Sequence, residues 1–83
     1  IGIDYGLEYG KSRMELQPDS IAEGARVLVL DDVLATGGTI NASAALIKRA
    51  GAIVESVCVL MELEELDGRA HIGDLECEAL TLI

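Results

Sequence analysis

Val27-Leu28-Val29-Leu30-Asp31-Asp32-Val33-Leu34-Ala35-Thr36-Gly37-Gly38-Thr39-Ile40 is the stretch whose reading decides the fold. Its first four residues are apolar without interruption. That is the pattern of a short strand buried on both faces, and such strands belong to parallel sheets flanked by helices. Two carboxylates, Asp31 and Asp32, follow at the expected carboxyl end of the strand. Residues Ala35 to Thr39 then supply two glycines for tight or left-handed backbone, and Thr39 offers a hydroxyl suited to cap a helix beginning near Ile40.

A strand, a small loop and a helix N-terminus in that order favour an anion. Successive amides of a Gly-rich turn point into one concavity, and the unpaired amides of the following helix add roughly half a positive charge. The hydroxyls of Thr36 and Thr39 can join them. Ligands of open α/β sheets gather outside the carboxyl ends of the strands, where this loop would sit. Asp31 and Asp32 would repel a phosphate, so their use is as acceptors for neutral hydroxyls such as a sugar diol one group away. Phosphate plus ribose is the implied ligand. No Lys follows Gly38 and no G-x-G-x-x-G is present, which excludes two better-known phosphate motifs. The plainer alternative is a capped helix after a buried strand, with the acids merely solvated.

Working outward, the helix of about residues 40–50 carries Ile40, Ala44 and Ile47 on one stripe. It closes on Lys48-Arg49 before Gly51, which complements the helix dipole and supplies a C-cap. Residues 52–61, A-I-V-E-S-V-C-V-L-M, read as a second buried strand, so residues 26–61 form a right-handed βαβ unit and the class is α/β. Upstream, Gln17-Pro18-Asp19-Ser20 is a turn and residues 21–26 a connector. Residues 1–20 hold the only aromatics, Tyr5 and Tyr9, between Gly2, Gly6 and Gly10, while Met14 to Gln17 alternates like a short strand. A mobile hairpin acting as a lid over a ligand fits this composition, as does a surface loop whose tyrosines pack locally. Downstream, residues 62–69 are acidic and turn-forming, and residues 76–83 close the chain as a strand. His71 stands alone and receives no role as a metal ligand.

The 83 residues amount to one domain at most, with 15 acidic against 6 basic residues and a net charge of −9. Nucleic acid and anionic membrane surfaces would be repelled overall. Cys58 and Cys77 lack C-x-x-C spacing and read as reduced thiols of a cytoplasmic protein. No apolar run approaches the roughly 18 residues of a membrane span. The chain opens on Ile1 rather than Met, and is expected to be the carboxyl-terminal part of a larger protein.

The run V-L-V-L-D-D-V-L-A-T-G-G-T resembles the phosphoribosyl pyrophosphate (PRPP) signature of type I phosphoribosyltransferases. Together with L-E-Y-G at residues 7–10 and M-E-L-E-E-L-D-G-R at residues 61–69, it is similar to the adenine phosphoribosyltransferases among them. The resemblance implies a Rossmann-like fold, a parallel sheet with flanking helices, of which this chain is a part. In it residues 1–20 form a flexible lid hairpin, 26–61 the PRPP-binding core and 62–83 a purine-side segment with the last strand. It further implies purine salvage, in which adenine and PRPP give AMP and pyrophosphate. Ala35, Thr36, Gly37, Gly38 and Thr39 would then hold the 5′-phosphate, and Asp31 and Asp32 the ribose hydroxyls. Glu8 would be the catalytic acidic group near the base and Tyr9 the lid aromatic. Lys11 and Arg13 would meet phosphate oxygens or be ordinary solvated charges, and Leu63 would wall the purine or be a core leucine. Mg²⁺ held mainly through PRPP and pyrophosphate, a homodimer and a cytoplasmic setting follow from the same resemblance. The pyrophosphate-binding loop has no counterpart in these residues, so the isolated chain is expected to be inactive. A transferase for hypoxanthine, guanine or orotate competes with this reading, as does a non-catalytic PRPP sensor on the same fold. The acidic balance speaks against the DNA-binding surface such a sensor needs.

Overall fold

The computed structural model describes residues 1–7, 10–17 and 19–83, and of residues 7, 10 and 11 the backbone alone. Two strands, β1 (Gly2–Leu7) and β2 (Gly10–Glu15), form an antiparallel hairpin. The remainder runs β3 (Arg26–Leu34), α1 (Gly38–Arg49), β4 (Ile53–Glu62), a single 3₁₀ turn (Glu64–Leu66), the short helix α2 (Gly68–His71) and β5 (Cys77–Leu82). In the second sheet the order is β3-β4-β5 and both pairings are parallel. This is the α/β architecture expected from the strand-helix-strand pattern. Among the described residues no helix is long and apolar enough to cross a membrane.

Two expectations about the first strand need correcting. It does not stop before the carboxylates: Asp31 pairs with Val59, Val33 with Met61 and Leu34 with Glu62. The ladder continues because β4 is apolar from Val57 to Met61 and offers partners on both sides of Asp32, which outweighs the weak strand preference of aspartate. Nor is β3 buried on both faces. Burial alternates along it, leaving Leu28 and Leu30 53% and 69% exposed. The alternation arises because α1 covers one face, whereas the described residues bring no second helical layer of that length onto the other.

The core lies under α1. Leu34, Ile40, Val57, Val59 and Ile72 form one buried cluster, and α1 adds Ala42, Ala44, Leu46 and Ile47. Covering a side chain such as Leu34 or Ile40 contributes about 1.5–3 kcal/mol each. The predicted stripe of Ile40, Ala44 and Ile47 is thus the packed face. Gly51, at φ +86°, ends the helix as foreseen.

Residues 1–20 contain the expected hairpin, although its second strand occupies Gly10–Glu15 rather than residues 14–17, and pairing runs through Gly6 without a break. Arg13 lies opposite Asp4 and donates to its carboxylate at 3.0 Å. The hairpin rests on α1, where Arg49 donates to Gly2 O at 3.0 Å and Ser43 Oγ lies 3.4 Å from Met14 Sδ.

Candidate functional site

The site is built where β3 ends. Beyond Leu34 the chain leaves the sheet, and Gly37 at φ +93° turns it into α1. The first bond into the helix runs from Asn41 N to Gly37 O at 2.9 Å. The amides of Gly38, Thr39 and Ile40 precede that bond, so they have no acceptor within the helix and are available to an external one. No side chain caps this end and no acid stands in its first turn.

Thr39 is therefore not the cap, contrary to expectation. A capping side chain requires non-helical backbone at its own residue. Gly37 makes the turn two residues earlier, and Thr39 is already helical; its carbonyl accepts from Ser43 Oγ at 2.9 Å.

A cleft of about 210 Å³ opens here, lined, among the described residues, by residues 31–40. It brings together all seven residues predicted for phosphate and ribose: Asp31, Asp32, Ala35, Thr36, Gly37, Gly38 and Thr39. No cationic side chain is among these seven, and what they offer an anion is amides, hydroxyls and the helix dipole. A larger groove of about 880 Å³ runs along the bared sheet beside Leu28, Leu30, Cys58 and Glu78. It contains none of the loop residues 35–39.

The two carboxylates differ. Asp31 is half-buried and Asp32 exposed. Burial lifts the Asp31 carboxyl above its ordinary range, and hydrogen bonding to the Asp32 carboxyl and that group's charge push the same way. The Asp32 amide, donating to Asp31 Oδ1 at 2.8 Å, works against them. A sugar hydroxyl donating to Asp31 would favour the ionised form.

Of the remaining predicted residues, Glu8, Tyr9 and the side chain of Lys11 lie outside the described residues. Arg13, predicted either to meet phosphate oxygens or to be a solvated charge, is an exposed side chain that binds Asp4 at 3.0 Å and Glu15 at 3.4 Å, and both contacts hold its guanidinium proton more tightly. Leu63, half-buried, follows β4 and gives its amide to Leu34 O at 3.0 Å, one strand across from the start of the loop. It belongs neither to the fully buried cluster nor to the lining of the cleft. Among the described residues no group of three His, Cys, Asp or Glu side chains stands close enough to hold a metal, and His71 contributes only its carbonyl, to Asn41 Nδ2 at 2.6 Å.

What the sequence reading missed is the support behind the loop. A Cβ on Gly68 would overlap Ala35 O and lie 3.0 Å from the side chain of Leu34. One on Gly37 would stand 3.0 Å from Gly68 O and from Ile72 Cγ2, and one on Gly38 would stand 2.5 Å from Gly6 O in the hairpin. The loop is thus held between α2 and β1 by backbone contacts that glycine alone permits. Glu62, 7% exposed, anchors α2 by accepting from Arg69 Nε at 2.9 and 3.0 Å, while Arg69 Nη1 donates to Cys77 O at 2.7 Å. The dipeptide Asp67-Gly68 was the available signal for a tight turn; nothing in sequence distinguishes Glu62 from its solvated acidic neighbours.

Residues 7–78 match the phosphoribosyl transferase domain model. Adenine phosphoribosyltransferase of Clavibacter sepedonicus is 50% identical over 76 residues, which are 92% of this chain and 40% of that protein. The crystal structure of adenine phosphoribosyltransferase from Thermoanaerobacter pseudethanolicus superposes with a TM-score of 0.94 at 43% identity, over all of this chain and 48% of the other. The Giardia lamblia enzyme, complexed with 9-deazaadenine, gives 0.92 at 32% identity over 100% of this chain and 49% of its own. The chain therefore spans less than half the length of each of these relatives.

Proposed function

The chain belongs to the phosphoribosyl transferase domain family, and on that premise we propose that it is the PRPP-binding part of an adenine phosphoribosyltransferase, which makes AMP and pyrophosphate from adenine and PRPP. The observation that carries this reading is the loop of residues 35–39, whose amides open on a cleft beside two carboxylates. Those amides hold the 5′-phosphate, with the hydroxyls of Thr36 and Thr39. Asp31 and Asp32 accept from the ribose hydroxyls, which fixes the sugar relative to the phosphate. Much of the rate in such a transfer comes from holding two substrates around one carbon.

In the reaction the bond from ribose C1 to the pyrophosphate oxygen breaks and the bond from C1 to adenine N9 forms. N9 must give up its proton, and Glu8 is the residue assigned to receive it or to stabilise positive charge on the sugar. Tyr9 closes over the sugar and base, Lys11 meets phosphate oxygens, and Leu63 walls the purine. Asp31 and Asp32 are hard oxygen donors beside the cleft, which suits Mg²⁺ carried by the diphosphate; when bound, it would offset charge on the leaving pyrophosphate. A homodimer and a cytoplasmic setting belong to the same reading. Contacts to pyrophosphate come from outside these residues, so the 83-residue chain by itself does not turn over.

Titration of the protein carrying this chain with PRPP and Mg²⁺, followed by adenine, hypoxanthine and orotate in turn, tests the assignment. AMP formation with adenine alone is expected. Turnover restricted to another base would replace adenine, absence of PRPP binding would remove the reading altogether, and AMP synthesis by the isolated chain would refute its inactivity.

A further inference from the structure

We infer that Gly68, fixed by the Glu62–Arg69 ion pair, is a positioning residue that sets the direction of the Thr36 amide in the loop. The inference rests on the reading of that loop as a phosphate cradle. Arg69 reaches from Glu62, the last residue of β4, to the carbonyl of Cys77, the first of β5. It therefore pins the start of α2 across the carboxyl end of β4 and the beginning of β5. The preceding residue, Gly68, is buried against Ala35 O with no room for a Cβ, and its backbone is not left-handed. Closeness of approach, rather than a turn, is what demands glycine there.

In a trans peptide the carbonyl and the following N–H point in opposite directions. With Ala35 O against Gly68, the Thr36 N–H faces away from α2; Thr36 lines the cleft, whereas no α2 residue does. Two further contacts hold the rest of the loop in step. Gly37 is enclosed by Gly68 O, Ile72 and His71, and Asn41 at the start of α1 donates to His71 O at 2.6 Å. Short α2 is thus a backstop that fixes which way the loop's amides point, although none of its atoms borders the ligand space.

The test is calorimetric titration of the protein carrying this chain with ribose 5-phosphate and, separately, with adenine. Gly68→Ala should weaken ribose 5-phosphate by about tenfold, the loss of one well-directed bond to a charged group, and leave adenine within about twofold. The amide resonance of Thr36 should shift in the free variant. A merely structural role would lower both affinities together or neither. Asn41→Ala, at an exposed position, should weaken ribose 5-phosphate by about threefold and gives a second reading should Gly68→Ala not fold. Unchanged ribose 5-phosphate affinity in a folded Gly68→Ala or in Asn41→Ala overturns the inference while leaving the proposed function standing. Failure of the unmodified protein to bind ribose 5-phosphate overturns both.

Discussion

At the carboxyl end of α1 the amides of Gly51 and Ala52 return to Lys48 O at 3.0 Å and Ile47 O at 3.1 Å, the two bonds of a Schellman closure, and Lys48 and Arg49 complement the dipole. At its amino end no side chain caps the helix, no acid stands in the first turn, and Gly37 makes the turn without offering a side-chain oxygen. Supplying a cap there would stabilise the helix by about 1 kcal/mol. One end of the same helix is completed by the chain itself, and the other is left for something else to complete. Only the unfinished end faces the cleft, so the ligand proposed for it would add to stability as well as to chemistry.

The contrast breaks most severely at Gly37. Gly37→Ala puts a side chain on left-handed backbone, at about 1–2 kcal/mol, and drives it toward Gly68 O and Ile72. Ribose 5-phosphate affinity is expected to fall by about a hundredfold, read by calorimetry, with a lowered melting temperature. Thr39→Asp would sharpen the contrast by finishing the open end. It should raise stability by about 0.3–1 kcal/mol through the dipole and lower ribose 5-phosphate affinity by about tenfold, because the new carboxylate competes for the same amides. A gain in both would contradict the picture. The pH dependence should be smaller. Ligand hydroxyls favour ionised Asp31, whose carboxyl titrates above the ordinary aspartate range, so affinity should rise with pH through that raised value and fall on acidification below it. Comparison with Asp31→Asn, which lacks the step, separates it from titration of the phosphate itself. Least is expected of Gly51→Ala at the finished end: about 1 kcal/mol of stability lost in a thermal melt, with ribose 5-phosphate affinity unmoved.

Much of this was legible in the sequence because it depends on local pattern. The alternation of apolar runs with a single amphipathic stretch gave β3, α1 and β4, and Gly37-Gly38 beside Asp31-Asp32 marked the cleft. What escaped depends on contacts between distant residues. The length of β3 was set by its neighbour β4, so the aspartates that looked like a terminus lie inside a ladder. Thr39 seemed a cap because hydroxyls often are, but the left-handed turn at Gly37 comes first. The pairing of Glu62 with Arg69 spans seven residues across a 3₁₀ turn, a separation at which two side chains of one continuous helix or strand would lie too far apart to touch.

Leu28, Leu30, Leu60, Leu80 and Leu82 remain more than half wetted on the sheet. Each would gain about 1–2 kcal/mol more once fully shielded, from whatever source. For the 83 residues by themselves such a surface favours association at high concentration, and because apolar attraction weakens on cooling, a cold dilute solution is the condition that least rewards clumping.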